Sequence, residues 1–191
     1  MNDPMGYGGS SSKGDSEHEL INAIGAGDIL AFEALIKRYQ EPVLNFVFKY
    51  IGDRFAAEDI AQEVFLSVYR SASGFEPKGK VSTWIFKIAY NLSVNEILHR
   101  SRLCLINGVD DLGFELVEPD HTIGKEIVEE VMDAVRHLPE KQRAAMLLRV
   151  NDGLSYAEIS KILSISISSV ESLLFRARES LRIIMNRHPE E

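Results

Sequence analysis

The residues best suited to recognise another molecule lie between positions 167 and 178, in the sequence ISSVESLLFRAR. If this stretch is helical, the apolar residues Ile167, Val170, Leu174 and Ala177 share one buried side. The other side then carries hydroxyls, a carboxylate, an aromatic ring and two guanidinium groups: Ser168, Ser169, Glu171, Ser172, Phe175, Arg176 and Arg178. Small polar side chains let a helix enter the major groove of DNA, and arginines bind phosphate or guanine. An ordinary helical hairpin with a solvated face would show the same pattern.

The preceding residues predict a helix that would make this stretch the second half of a helix-turn-helix. Apolar residues recur at helical spacing from Leu154 to Leu163. Ser155 and Glu158 have the spacing of a capping box, in which each side chain binds a free backbone N–H of the first turn. A short polar break follows, and Ser166 or Ser168 would be the N-cap of the second helix.

Two carboxylates lie one turn apart on another predicted helix, residues 56–71. Asp59 and Glu63 fall with Gln62 on the side opposite the apolar stripe, which consists of Ile60, Val64, Phe65 and Val68. Such a pair can bind a cation, but a solvated surface that binds another protein is the simpler interpretation.

Signatures of catalysis and of cofactor binding are absent from the sequence. The phosphate-binding motif GxxxxGK[ST], the dinucleotide motif GxGxxG and the metal motifs HExxH and CxxC do not occur. The five histidines are scattered, without metal-ligand partners at helical spacing. The single cysteine, Cys104, excludes a disulfide within the chain. We therefore predict no enzyme, no metal site and no cofactor.

The net charge of −8 is distributed unevenly along the chain. The acidic excess lies in residues 1–19, in residues 104–122 and at the C-terminus, whereas residues 20–103 and 123–189 each carry a net charge of +1. Two nearly neutral bodies without a strong basic patch predict weak binding of the isolated chain to DNA. Because the sequence has neither a long apolar run nor a basic-then-apolar leader, we expect a cytoplasmic protein.

Helical periodicity predicts an all-α protein of two small helical domains. Residues 1–16 are expected to form a disordered tail, residues 17–103 the first domain, residues 104–122 a flexible acidic linker and residues 123–188 the second domain. Within the first domain, Asp28 is a candidate N-cap, Pro42 would open a new helix, and Gly52 would end it. The glycines and the proline of residues 72–80 predict a loop before a long helix that starts at Val81.

Three segments in this order resemble the extracytoplasmic-function group of sigma factors, which belong to the sigma-70 family of bacterial RNA polymerase subunits. AEDIAQEVFLSVY (57–69) is similar to that family's polymerase-binding helix, and FEPKGKVSTWIFKIAYNLSVNEILHRSR (75–102) is similar to its promoter-melting segment. LPEKQRAAMLLRVNDGLSYAEISKILSIS (138–166) with the helix after it resembles its −35-reading domain. A helix-turn-helix alone is common, but this ordered set covers residues 20–185 and is specific.

The resemblance implies a role for each segment. Asp59, Gln62, Glu63 and Phe65 would face the clamp helices of the largest polymerase subunit. The loop 75–80 would hold a flipped base of the −10 element, because melted DNA must be trapped by shape, stacking and hydrogen bonds. The implied −10 contacts are Phe75, Lys78, Lys80, Ser82, Thr83, Trp84, Lys87, Asn91, Arg100 and Arg102. The implied −35 contacts are Arg149, Ser168, Ser169, Glu171, Ser172, Phe175, Arg176 and Arg178.

The resemblance also implies that the acidic linker threads the basic RNA path of the polymerase and that an anti-sigma protein holds the free chain. The sequence departs from the family at three positions of the helix-turn-helix. Glu171 stands where a lysine or arginine is usual and Leu173 where an arginine is usual, which should weaken phosphate contact. Ser164 replaces the usual turn glycine.

Two other protein classes fit parts of the sequence. A two-domain transcriptional regulator would bind duplex DNA without polymerase, with its N-terminal half as a ligand or dimer module. A helical adaptor would bind only protein, and the nearly neutral bodies would suit it. The three sigma-like segments in order favour the sigma factor over both.

Overall fold

The computed structural model describes residues 12–76, 79–107, 123–150 and 153–185, and within these ranges the regular structure is helical throughout. The first unit contains α1 (Ser12–Gly25), α2 (Ile29–Ile51), α3 (Arg54–Ser71), a 3₁₀ turn (Ala72–Gly74) and α4 (Val81–Asn107). The second unit contains α5 (Ile123–Arg136), α6 (Glu140–Val150), α7 (Tyr156–Leu163) and α8 (Ile167–Met185). The all-α prediction is confirmed. Of the described helices, none is both long and apolar enough to cross a membrane.

Helix α2 begins as predicted but is longer than expected. Asp28 Oδ1 accepts hydrogen bonds from the backbone N–H groups of Leu30 (2.9 Å) and Ala31 (3.1 Å), which confirms the N-cap. The prediction that Pro42 opens a new helix is wrong, because α2 continues through it. Proline removes one backbone hydrogen bond, but the buried residues before and after it share one face of a single helix: Leu35, Tyr39, Val43, Phe46, Val47 and Tyr50.

The end of α2 and the start of α3 are fixed by adjacent residues. Gly52 ends α2 with a φ of 84°, a left-handed conformation that glycine adopts without strain. Asp53 then caps α3 by accepting a hydrogen bond from the N–H of Ala56 at 3.0 Å. This tight corner sets the direction of α3, and α4 packs against both α2 and α3.

The predicted helix-turn-helix is confirmed in the second unit. The Ser155 hydroxyl accepts from the N–H of Glu158 (3.3 Å), and the Glu158 carboxylate accepts from the N–H of Ser155 (2.8 Å), so the capping box is complete. Ser166 is the N-cap of α8, because its hydroxyl accepts from the N–H of Ser169 at 3.1 Å. The expectation that Ile167 is buried is wrong: it lies at the exposed start of α8 with 48% of its surface accessible.

Ser164 forms the turn between α7 and α8 with a φ of 54°. A side chain in this left-handed conformation costs about 1–2 kcal/mol, a cost that glycine avoids while losing more chain entropy on folding. We expect Ser164→Gly to raise the free energy of unfolding by about 0.5–1 kcal/mol. Thermal and urea unfolding monitored by circular dichroism would measure this. Ser160→Gly, inside α7, is the control and should destabilise; stabilisation by both variants, or by neither, would contradict the argument.

The two units pack against each other. Helix α4 contacts α7, and α2 contacts α5 and α6. Arg143 on α6 is 9% exposed, and its Nη1 donates to the carbonyl oxygen of Tyr50 at the end of α2 (2.9 Å). One continuous apolar core consequently reaches from Ile21 in α1 to Leu174 in α8.

Candidate functional sites

An aromatic pocket lies where the loop after α3 meets the start of α4. It encloses about 460 Å³. The rings of Phe75 and Trp84 form one wall, with centroids 4.6 Å apart and planes tilted by 42°. The residues that line the pocket are Ser71, Gly74, Phe75, Glu76, Gly79, Lys80, Thr83, Trp84, Lys87 and Lys161. Aromatic rings beside lysines suit a flat, electron-rich group next to a phosphate.

Thr83 supplies a buried polar atom at this pocket. Its side chain is 7% exposed, and its Oγ1 has no hydrogen-bond partner among the described residues. The oxygen itself has almost no accessible surface, so a molecule in the pocket can bond to it only after the Thr83 side chain rotates. An unpaired buried hydroxyl costs free energy, which such a bond would recover.

Of the remaining predicted −10 contacts, Lys87 also lines the pocket, whereas the others do not line it or lie outside the described residues. Lys87 and Asn91 are exposed and continue along α4 from Trp84 at helical spacing. Ser82 is half-buried and Arg102 is exposed. Lys78 lies outside the described residues.

Arg100 has two partners within the chain. Its Nη2 lies 2.8 Å from Asp53 Oδ2, and its Nε lies 2.7 Å from Glu96 Oε1. Burial would lower the pKa of this guanidinium, but the two carboxylates hold it above its usual value. In this arrangement Arg100 ties α4 to the start of α3, a structural role that the sequence did not suggest.

An acidic groove lies between α3 and α4. Its residues enclose about 380 Å³: Asp59, Ile60, Glu63, Leu92, Asn95, Glu96 and His99. Asp59 is exposed, and Glu63 is partly exposed beside Arg70, 3.0 Å away. Gln62 is exposed on the same helix. Phe65 differs: at 6% exposed it packs in the core, so the expectation that its side chain contacts a partner is wrong.

Helix α8 presents its predicted polar side to solvent. All seven residues predicted for its outer side are exposed: Ser168, Ser169, Glu171, Ser172, Phe175, Arg176 and Arg178. Val170, Leu174 and Ala177 are buried beneath them. Phe175 has 63% of its surface accessible, although an aromatic ring gains by burial. An exposed ring between a carboxylate and a guanidinium is typical of a binding surface.

Arg149 lies beside this helix but bonds within its own unit. Its Nη1 donates to the carbonyl oxygen of Leu154 at 2.9 Å, and its guanidinium lies 5.5 Å from the ring centroid of Tyr156. Arg149 remains exposed, so the predicted backbone contact stays a prediction.

The second unit covers part of the aromatic pocket. Lys80 Nζ lies 2.8 Å from Glu158 Oε1 on α7, and Lys161 of α7 lines the pocket. Partial burial would raise the pKa of Glu158, but Lys80 and Ser155 together hold it below its usual value. The ion pair thus joins a predicted −10 residue to the helix-turn-helix.

Sequence reasoning missed several of these residues. Lys161 and Ser71 enter the pocket only through folding. His18 on α1 also reaches the loop, because its Nε2 lies 2.9 Å from the carbonyl oxygen of Gly79. No local pattern relates residues 61 positions apart. In the part of the chain whose side chains are described, no group of three or more His, Cys, Asp or Glu residues could hold a metal ion.

Comparison with known proteins gives matches to both units. Residues 35–103 match the family model for sigma-70 region 2, and residues 128–181 match that for sigma-70 region 4. The RNA polymerase sigma-H factor of Pseudomonas aeruginosa is 30% identical over 178 residues, which is 87% of this chain and 92% of that protein. The ECF RNA polymerase sigma-E factor of Escherichia coli is 32% identical over 179 residues, with the same coverage of 87% and 92%.

Two solved structures have a similar fold. CnrH, in complex with the cytosolic domain of CnrY, has a TM-score of 0.70 and 19% identity, with coverage of 92% of this chain and 100% of that one. The sigma factor RpoE of Bartonella quintana, in complex with the anti-sigma factor NepR, has a TM-score of 0.73 and 20% identity, with coverage of 81% and 96%.

Proposed function

This chain belongs to the sigma-70 family, in the extracytoplasmic-function group, and we propose that its two units bind core RNA polymerase, read the −35 and −10 promoter elements and open the DNA. It is not an enzyme by itself. One structural observation supports this proposal best. The first unit has an aromatic pocket, and the second unit exposes the polar side of α8. Duplex reading and base capture require different surfaces, and this chain has both.

The acidic groove between α3 and α4 is the proposed polymerase contact. Asp59 and Glu63 are accessible there, and Glu96 adds a third carboxylate. A shallow apolar floor, formed by Ile60 and Leu92, suits a helix laid into the groove with basic residues at its rim. The family resemblance implies that this partner is the clamp helices of the largest polymerase subunit.

The aromatic pocket is the proposed site for a flipped non-template base of the −10 element. A base would stack on Phe75 or Trp84, and Thr83 Oγ1 would bond its edge once the side chain rotates towards the pocket. Lys87 and Asn91 would follow the strand along α4, and Lys80 would meet a phosphate once it separates from Glu158. Holding the base outside the stack offsets the free energy spent in unpairing it.

Helix α8 is the proposed reader of the −35 element. Its first turns carry hydroxyls from Ser168, Ser169 and Ser172, which allow close approach to base edges. Glu171 is exposed, with no ion pair found among the described side chains, so it is free to accept from a cytosine amino group. Phe175 can contact a thymine methyl group, and the arginines behind it can bind guanine or phosphate.

We expect Arg176→Ala to weaken binding to the −35 element by about 1–3 kcal/mol if the guanidinium contacts guanine. Its Nε donates only to the carbonyl of Ser172 in its own helix (3.2 Å), so the replacement should not disturb folding. Holoenzyme binding to promoters with substituted −35 positions would measure the loss. Arg182→Ala, exposed further along α8, is the control. Equal effects of the two variants would show that the recognition surface is misplaced.

The proposal also covers the location of the chain in the cell, its protein partner and its linker. We place it in the cytoplasm, where RNA polymerase acts. An anti-sigma protein is the proposed partner of the free chain, by analogy with the RpoE–NepR complex. The acidic linker was predicted as residues 104–122, but α4 continues to Asn107, so we propose that the linker begins after α4 and passes through the polymerase's basic RNA path.

Run-off transcription with purified core polymerase and a genomic promoter library tests the function directly. Specific starts that require this chain are expected, and aligning them would give both promoter elements. Transcription that does not depend on the chain, together with retention of duplex DNA without polymerase, would favour a two-domain regulator. Binding to neither DNA nor polymerase, even after any co-purified partner is removed, would favour an adaptor that binds only protein.

A further inference from the structure

Helix α1 touches the wall of the aromatic pocket from outside. His18 Nε2 lies 2.9 Å from the carbonyl oxygen of Gly79, and its ring centroid lies 5.9 Å from that of Phe75. Since a carbonyl oxygen only accepts, His18 is the donor. His18 does not line the pocket itself. It lies before residue 35, where the match to the region 2 family model begins.

Helix α1 is anchored to α2 by an ion pair and a hydrogen bond, and its apolar residues are buried in the core. The Glu17 carboxylate, beside His18, lies 2.8 Å from Arg38 Nη2 and accepts a hydrogen bond from the Tyr39 hydroxyl at 2.9 Å. Ile21 and Ile24 are buried one and two turns further along. Burial and the bond to Glu17 raise the pKa of Tyr39, so its hydroxyl keeps its proton and remains a donor.

The same helix also contacts the other end of the loop segment. At its C-terminus a Cβ added to Gly25 would lie 3.0 Å from Ser73 Cα in the 3₁₀ turn. Helix α1 therefore meets the segment before Phe75, through Gly25, and after Phe75, through His18. Both anchors act on backbone atoms, at Ser73 and at Gly79, and residues 74–79 contain two glycines and a proline.

We propose that His18 is a positioning residue for base capture: through its contacts with Gly79 and Phe75 it holds these two pocket residues at the separation that accepts a flipped base. The inference rests on the proposed −10 role of this pocket. A loop fixed in its binding conformation loses less entropy when the base enters, so the captured state is stabilised. His18 acts through the loop and does not touch DNA.

Three replacements of His18 separate its two contacts. His18→Ala removes the hydrogen bond and the ring, His18→Gln keeps a donor, and His18→Phe keeps a ring. We expect His18→Ala to reduce promoter opening by about three- to tenfold, the loss that one net hydrogen bond implies. His18→Gln should restore most of it and His18→Phe only part. His137→Ala, just after α5 in the second unit, is the control, since its ring contacts Asp133 of α5 and lies outside the first unit.

Permanganate reactivity of promoter thymines in the holoenzyme measures opening, and titration with core polymerase measures assembly. Assembly should be unchanged in every variant. In addition, an abasic nucleotide at the flipped position should abolish the difference between wild type and His18→Ala. A difference that persists with the abasic promoter, or a loss of assembly equal to the loss of opening, would overturn the proposal.

Phe75→Ala distinguishes this inference from the function on which it depends. If Phe75→Ala prevents opening while His18→Ala opens promoters like wild type, the pocket captures the base but His18 does not position it. If neither variant affects opening, the −10 assignment of the pocket itself is wrong.

Discussion

Replacing Asp59 and Glu63 with lysine is expected to abolish assembly of this chain with core RNA polymerase. Both carboxylates are accessible in the groove between α3 and α4, and the proposed partner helix brings basic residues to its rim. The double replacement would set like charges against each other, which costs several kcal/mol at an interface. We therefore expect the dissociation constant to rise by about 100-fold or more.

The folded state should tolerate this change. Asp59 is exposed, and the ion pair between Glu63 and Arg70 is itself exposed, so its loss costs little. The matched control is the double variant Glu33→Lys and Glu41→Lys, which makes the same change in net charge at two exposed positions of α2. Fluorescence anisotropy of labelled chain titrated with core polymerase would compare them. Equal affinities of the two double variants would place the polymerase contact elsewhere.

The features predicted correctly from sequence are those set by neighbouring residues. Asp28 bonds to N–H groups two and three positions away, and the Ser155–Glu158 box closes within one turn. Such caps depend on side chains of fixed reach, so local sequence specifies them. The outer side of α8 was predicted for a similar reason: helical geometry alone assigns its residues to two sides.

The errors came where tertiary packing decided the outcome. Pro42 normally begins or bends a helix, yet α2 continues because the apolar residues on either side of it pack on the same core. Phe65 lies two residues from Glu63, but this small step rotates it from the exposed face into the core. Proximity in sequence to a predicted contact surface is therefore weak evidence that a helical residue belongs to it.

Contacts between distant segments could not be predicted from one sequence. His18 and Gly79, Arg143 and Tyr50, and Lys80 and Glu158 meet only because the helices fold together. Each pair consists of ordinary polar groups without a spacing rule. The contacts that shape the aromatic pocket belong to this class, whereas its aromatic and basic residues were recognisable.

The contact between the two units leads to the last prediction, that they separate on promoter DNA. Here Lys161 of α7 reaches the pocket of the first unit. The −35 and −10 promoter elements, with centres about 25 base pairs apart, would lie about 85 Å apart along B-form DNA, at about 3.4 Å per base pair. Two units that remain in van der Waals contact cannot bind both promoter elements at once. The fifteen residues between α4 and α5, 108–122, can extend to about 50 Å, which adds to the dimensions of the units.

The interface is built in a way that permits separation. Three buried polar atoms at or near it have no hydrogen-bond partner among the described residues: Tyr50 Oη, Gln142 Oε1 and Arg143 Nε. Each unpaired buried group costs about 1–3 kcal/mol, which exposure to water would recover. Separating the two units therefore costs less free energy than separating an interface of the same area in which every buried polar atom is hydrogen-bonded.

Energy transfer between fluorophores at Asn45→Cys and Lys141→Cys, with Cys104→Ser to remove the native thiol, would measure the separation. Both label sites are exposed and lie within five residues of the Tyr50–Arg143 contact. We expect strong transfer in the free chain and nearly none in the complex with core polymerase and promoter. The control pair, Glu33→Cys and Asn45→Cys, lies about 18 Å apart along α2 and should not change. Strong transfer between Asn45 and Lys141 in a transcribing complex would mean that one chain does not span both promoter elements.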